Sequence, residues 1–251
     1  MKAFFCDLDH TLIYSHRQEI RDARIPVEWL NGKEQSYMTA YSHAFLREAR
    51  WLTLIPVTTR SEEQYRRLAF PEEFRIRHAL LCNGGKLLSD GREDRSWSEE
   101  TMERTREVLG MLDEAGRRLA RLSGGEVRQP EPYYRCAAAE DPEGICGALR
   151  REFAGSGIRA ERDRRKVYLF PECVNKGEAV RRFAEKYGVT ESAGAGDSEM
   201  DLPMLNAVRY PMAPETLRGS VSGTNTRWLA GEILSDRICR ALEELHGQNI
   251  L

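Results

Sequence analysis

Several polar side chains stand where apolar runs end. Asp7 and Asp9 follow Ala3-Phe4-Phe5-Cys6, Thr58 and Thr59 follow Leu54-Ile55-Pro56-Val57, and Asp197 and Asp201 follow the small-residue run 193–196. Lys176 opens a helical pattern just after Val174. Taken singly each has a plain reading. Asp7 and Asp9 suit a turn after a strand, Lys176 a solvated helix residue, and Asp197 a helix cap. Taken together they fit one reaction. Carboxylates against a run as apolar as Ala-Phe-Phe-Cys are costly without a partner. Three of them in one pocket would repel unless a cation sat among them. Hard oxygen ligands beside a phosphate suit Mg²⁺, which keeps several waters and uses few carboxylates. An amine and a hydroxyl nearby could hold the oxygens of a transferring phosphoryl group.

The elements between these residues would have to bring them together. Residues 3–7, 52–59, 79–82, 191–195 and 210–213 read as short buried strands, by their apolar or small composition and polar ends. Residues 39–51, 61–68, 176–187, 199–207 and 228–246 read as helices, with Ser61 as an N-cap and Gly188 as a stop. This alternation predicts an α/β class: a Rossmann-like parallel sheet between helical layers, with function at the carboxyl ends of its strands. Asn31-Gly32 within 25–38 predicts a small hairpin, because both residues accept positive φ. The texture changes from about 86 to 166. There the pattern reads as a hairpin at Asp90-Gly91, a long helix over 99–122, strands over 126–129 and 133–139, a helix over 142–153, and a strand pair over 158–162 and 167–170. That order predicts a separate, inserted α+β lobe.

Bulk properties exclude little but are consistent. The 251 residues suffice for a core with a sizeable insert. Hydrophobic residues make up 41 % and charged residues 31 %, and the formal net charge is −2, so no global field invites nucleic acid or an anionic membrane. Six cysteines show no close pair, so no zinc site is suggested. Several lie in apolar runs, as buried thiols do, and a reducing cytoplasm is the expected home. The N-terminal apolar stretch is cut by Asp7, too early for a signal peptide or membrane span.

The motifs DLDHT, VTTR, NKG and GDSEMD, in that order from Asp7 to Asp201, resemble the four signatures of the haloacid dehalogenase superfamily. The resemblance implies a phosphatase. Asp7 would be the nucleophile and become an aspartyl phosphate, and Asp9 would be the general acid and base. Thr58, Thr59 and Lys176 would bind phosphate. Mg²⁺ would be held by Asp7, Asp197 and the carbonyl of Asp9, with Asp201 in support. Two positions depart from the usual pattern. His10 stands where glycine is common, leaving a tuning role for it open, and Met200 stands where asparagine is common, putting the orientation of Asp201 in doubt.

The insert's position, between Thr58 and Lys176, resembles the subgroup with a second-site α/β cap. That subgroup includes Cof-type, sucrose-phosphate and mannosyl-phosphoglycerate phosphatases. TTRS, CNGG and VYLFPECVNKGEAV carry this likeness. It implies a first core segment over 1–84, a cap over 85–170 and a second core segment over 171–251. Candidate substrate contacts are Asn83, Gly84, Arg128, Tyr133, Tyr134 and Arg135. The expected activity is Mg²⁺-dependent hydrolysis of a small phosphorylated metabolite, with a sugar phosphate favoured. A phosphohexomutase of the same core and cap class, or a phospholigand-binding protein without turnover, are the alternatives.

Overall fold

The strand Lys2–Cys6 lies inside a parallel sheet of order Arg227–Leu229, Tyr210–Pro214, Glu191–Ala195, Lys2–Cys6, Leu54–Pro56 in the computed structural model, which describes residues 1–231 and 233–251. Its side chains alternate between two cores, as a period of two requires. Phe4 and Cys6 pack with Ile238 and Leu242 of the C-terminal helix Leu234–Gly247. Ala3 and Phe5 pack with Val180 and Phe183 of the helix Lys176–Tyr187. A strand covered on both faces must be apolar throughout, which is why the run Ala-Phe-Phe-Cys has no polar gap.

The flap forms where Asn31-Gly32 places it. Arg24–Leu30 pairs antiparallel with Lys33–Thr39, and Asn31 and Gly32 both take positive φ. The register slips on either side of Glu28. Such a bulge re-aims the side chain, and here Glu28 turns inward to a buried position.

The inserted lobe is a four-stranded antiparallel sheet of order Ile158–Asp163, Lys166–Pro171, Tyr134–Ala138, Arg128–Glu131. One face packs Ala137, Ala160, Val167 and Leu169 against Leu112, Leu119, Ile145 and Leu149 of two helices, Leu109–Ser123 and Pro142–Glu152. The other face presents Tyr134, Cys136, Tyr168 and Phe170 to Leu81, Cys82 and Met200 of the parallel-sheet body. The insert therefore sits down on the carboxyl end of the sheet rather than beside it.

Several helices differ from the sequence reading. That expected over 61–68 is only Glu62–Tyr65, and that over 199–207 is a tight turn, Glu199–Asp201, followed by the short helix Leu202–Leu205. The helix expected over 99–122 is two, Arg95–Thr105 and Leu109–Ser123, joined by a single tight turn. The Thr101 and Thr105 hydroxyls back-bond to the Trp97 and Thr101 carbonyls, which favours bending there. The packing partner also changes at the break. Trp97 belongs to the cluster around Phe5, whereas Leu112 belongs to the insert. The helix expected over 228–246 begins only at Leu234. Arg227–Leu229 instead pairs with Met212, Ala213 and Pro214 as the sheet's edge strand. Residue 232, within that expected helix, lies outside the described residues. All six cysteines are free thiols, and among the described residues no helix is long and apolar enough to cross a membrane.

Candidate active site

Three neighbouring parallel strands end on one edge of the sheet. Asp7 follows the central one, Asp197 follows Glu191–Ala195 on one side, and Thr58 follows Leu54–Pro56 on the other. Parallel strands deliver their carboxyl ends to a common crevice, so residues almost 200 positions apart converge. The fourth group arrives on a helix. Asn175 caps Lys176–Tyr187 by accepting from the Gly177 and Glu178 amides at 3.0 and 2.9 Å. The helix start is pressed against the next element, because a Cβ on Gly177 would lie 2.3 Å from the Pro203 carbonyl oxygen. That close approach puts the Lys176 side chain over the carboxylates.

Lys176 Nζ donates to Asp7 Oδ1 at 2.5 Å and to Asp201 Oδ1 at 2.6 Å, and only 2 % of the Lys176 side chain is exposed. Thr11 completes the connection. Its hydroxyl lies 3.1 Å from Asp7 Oδ2 and 3.3 Å from Asp197 Oδ1. Asp201 Oδ2 accepts from the Asp197 amide, the Ser198 amide and the Ser198 hydroxyl at 3.1, 3.0 and 2.9 Å. Asp201 thus holds the loop that carries Asp197. Met200 is buried in the apolar cluster between the two lobes, and Asp201 is oriented by this network without help from the neighbouring side chain.

The electrostatics of this group are unbalanced. Asp7, Asp197 and Asp201 offer oxygens within 4.8 Å of one another, and Lys176 is the cation among them. Burial drives the Asp7 carboxyl well above its ordinary value, with Lys176 opposing and Asp201 and Asp197 adding to the rise. Burial, then Asp201 and Asp163, push Asp197 up to about 7. Lys176 moves the other way. Burial would lower it, but Asp201 and Asp7 outweigh that and raise it, keeping the amine charged. With all three acids ionised, one amine would leave an excess of two negative charges, which a divalent cation would offset. The donor set is all oxygen, which fits a hard ion such as Mg²⁺.

Asp9 behaves differently from Asp7. Its carboxylate is held in a fork by Arg60, with Nε to Oδ2 at 2.8 Å and Nη2 to Oδ1 at 2.7 Å. Arg60 Nη2 also reaches Glu28 Oε2 of the flap at 3.0 Å, and Glu28 accepts further from Ser36 and Arg67. Burial alone would raise Asp9, but the hydrogen bonds and charge of Arg60 prevail and hold it below the ordinary carboxylate range. Arg60, Glu28, Thr11 and Ser198 carried no role in the sequence reading. Arg60, Thr11 and Ser198 lie inside the quoted motifs, so their position was a usable signal. Glu28 had none, since its importance depends on a bulge.

Thr58 is fully buried, its hydroxyl accepting from the Arg60 amide at 3.1 Å, while Thr59 beside it is partly exposed. The Asn83 amide donates to the Thr58 carbonyl and its Nδ2 to the Val174 carbonyl, so Asn83 ties the Thr58 loop to the Lys176 helix from a position with no exposure. Gly84, at φ +92°, leaves no room for a side chain, since a Cβ would lie 2.2 Å from Ala179 Cβ. His10 takes φ 66° with Nδ1 2.9 Å from Gln18 Oε1. That left-handed backbone is the conformation glycine adopts without cost, so the glycine that the resemblance leads one to expect would fit there without strain.

Of the insert residues, Arg135 is not brought to the site. It lies on the helix-covered face, paired with Asp113 at 2.6 Å. Tyr133 is buried against Gly85 at the crossing between the lobes. Tyr134 belongs to the core-facing side, with its ring 4.6 Å from Phe170. Arg128, opposite Cys136, shares that side but is exposed on the far edge strand.

No protein-family model matches the chain, and no curated protein matches it in sequence. Solved structures do match in shape. The sucrose-phosphatase from Synechocystis sp. PCC6803, determined in complex with sucrose and phosphate, aligns with a TM-score of 0.64 at 15 % identity, covering 100 % of this chain and 98 % of that one. A haloacid dehalogenase-like hydrolase from B. subtilis aligns at 0.59 and 15 % identity, over 98 % of this chain and 100 % of that one. A trehalose-6-phosphate phosphatase related protein aligns at 0.56 and 18 % identity, over 98 % and 99 %. The chain therefore has the haloacid dehalogenase-like fold, a Rossmann-like α/β body carrying an inserted α+β lobe.

Proposed function

We propose that the chain is a Mg²⁺-dependent phosphomonoester hydrolase acting on a small phosphorylated metabolite, with a sugar phosphate favoured. The observation that carries this reading is Lys176 Nζ lying within 2.6 Å of both Asp7 and Asp201, with Thr11 joining Asp7 to Asp197. Such a group can grip a phosphoryl oxygen while presenting a carboxylate oxygen to phosphorus. The fold it shares with solved phosphatases supports the same reading.

In this mechanism Asp7 attacks phosphorus, a new P–O bond forms to its carboxylate, and the bond to the leaving oxygen breaks. Asp9 protonates that oxygen, then takes a proton from the water that attacks the aspartyl phosphate and regenerates Asp7. To carry a proton, Asp9 has to turn out of the Arg60 fork, since the fork favours its ionised form. Lys176 and the Thr58–Thr59 segment hold the phosphoryl oxygens. Asp7, Asp197 and the Asp9 carbonyl would hold Mg²⁺, with Asp201 fixing the loop behind Asp197. When bound, the ion supplies charge neutralisation for the acids and for the phosphoryl group. The inserted lobe closes over the sheet end and excludes water.

The test is phosphate release from p-nitrophenyl phosphate by the wild type and Asp7→Asn, with and without Mg²⁺. The wild type should turn over only with Mg²⁺, and Asp7→Asn should lose at least about 10³-fold. Equal rates in the two proteins would overturn the mechanism.

A further inference from the structure

The helix Ala40–Glu48 and the C-terminal helix Leu234–Gly247 leave a groove of about 380 Å³ between them, open to solvent. Tyr41, Phe45 and Glu48 line it from the first helix, where their spacing keeps them on one face. Glu243 and His246 line it from the second for the same reason. Trp51 joins them from the segment after the first helix. Its ring lies flat on His246, with centroids 4.0 Å apart and planes 4° from parallel, and edge-on to Phe45 at 6.3 Å. Phe45 and Trp51 pack against the buried core that includes Leu46, Leu242 and Leu245, which holds the aromatic floor in place. The groove belongs to the amino end of the sheet. Trp51 comes just before the strand Leu54–Pro56, and Lys2, where the central strand begins, donates to the Asn249 carbonyl at 3.0 Å. The acids around Lys176 gather at the opposite, carboxyl end.

We infer that this groove binds a small organic cation with a flat apolar body, such as an arylalkylamine, at a site separate from the acid cluster. A groove of this volume with aromatic lining is of the size and make-up of small-ligand sites. The faces of aromatic rings are electron-rich and attract cations. One ring here already does so, since Arg240 Cζ lies 5.5 Å from the Tyr41 centroid. Glu48 and Glu243 are exposed, and neither enters an ion pair among the described residues. Their charges add to the field of the rings. Burial and then Glu243 raise the Tyr41 hydroxyl above its ordinary value, so that field reaches across the groove. An anion would be repelled by both acids, and a neutral arene would gain the apolar contact alone. A cationic head with a ring behind it gains both. Two acids on the lining also disfavour a phosphate, so the ligand is distinct from the substrate of the reaction proposed above.

The experiment titrates the full chain by calorimetry with three probes of one shape: phenethylamine, phenethyl alcohol and phenylpropionate. The indole N–H signals are followed by NMR in parallel, with Trp51→Phe assigning that of Trp51. Phenethylamine should bind with a Kd of about 1 mM or tighter and shift the Trp51 signal saturably. Phenethyl alcohol should bind about tenfold more weakly, and phenylpropionate more weakly still. Glu48→Gln combined with Glu243→Gln should weaken phenethylamine about fivefold and leave the alcohol within about twofold. Both glutamates are exposed, so the double variant keeps the fold. Asp7→Asn should bind phenethylamine as the wild type does. The inference is overturned by an absence of saturable phenethylamine binding, by equal affinity for the three probes, or by an unweakened double variant. Loss of binding in Asp7→Asn overturns it too, because the cation would then be in the acid cluster. If Trp51→Phe fails to fold, the calorimetric ranking and the glutamate variants decide alone.

Discussion

Asp7 and Asp9 are two residues apart and enter opposite electrostatic regimes. Asp7 joins Asp197 and Asp201 around Lys176, where three acids face one amine. Asp9 joins a chain of its own, in which Arg60 and Arg67 answer Asp9 and Glu28 one for one. The first region is incomplete by charge, and under the proposed function a divalent cation would complete it. The second is complete and couples the site to the flap. The separation comes from the turn after the strand, not from the strand. Pleating would keep residues two apart on one face, but the strand ends at Cys6 and the chain turns at once, with the Leu12 and Ile13 amides donating to the Leu8 carbonyl. The lesson is that proximity in sequence does not make two carboxylates equivalent, because their partners decide which is starved of cation and which is saturated.

The comparison breaks most sharply at Lys176. Lys176→Met removes the amine from the acid-rich region and leaves the buried Asp7 and Asp201 without their cation. Unfolding in urea at neutral pH without Mg²⁺ should show a loss of about 3–5 kcal/mol. An unchanged midpoint would mean that the amine is not offsetting the acids.

Mg²⁺ sharpens the same contrast. Asp197 is raised from an ordinary value of 3.8 to about 7 in the folded chain. A carboxyl raised on folding contributes stability that is present at low pH and lost as pH rises through the folded value. The Mg²⁺-free protein should therefore lose stability between about pH 4 and pH 7. Mg²⁺ at a hundred times its Kd should restore about 2.7 kcal/mol above pH 7 and almost nothing at pH 4. Melting curves with and without Mg²⁺ across this range check it, and a Mg²⁺ effect that is independent of pH would contradict it.

The smallest effect belongs to the balanced region. Glu28→Gln keeps the shape but removes the charge facing Arg60 and Arg67, at a cost of about 1–3 kcal/mol in urea unfolding. Because Asp9 and not the acid cluster feels the change, the Mg²⁺ stabilisation should stay the same within error. A weakened Mg²⁺ effect in this variant would show that the two regions are not separate.

The positions at strand ends were legible because covering a strand on both faces forces an apolar run, and the first polar residues after it have nowhere else to lie than the sheet's edge. Asp7, Thr58 and Asp197 follow this rule, and Asn175 and the glycine after Lys176 mark the helix that brings the amine. The flap was legible from Asn31-Gly32 for an equally local reason, the two positive φ angles. The break near residue 106 and the edge strand at Arg227–Leu229 were not, because both follow from which neighbour a segment packs against.

What the amino-acid order determined by itself was the alternation of strands and helices, the turn chemistry and the roster of groups at the strand ends. Tertiary structure alone decided the pairings. Arg60 meets Asp9 across 51 residues and Glu28 across 32, and only a bulge in the flap aims Glu28 inward. It also decided parity in the inserted sheet. Adjacent residues on a strand face opposite ways, so Arg135 and Cys136 could not be assigned to a face until one face was seen to close on the core.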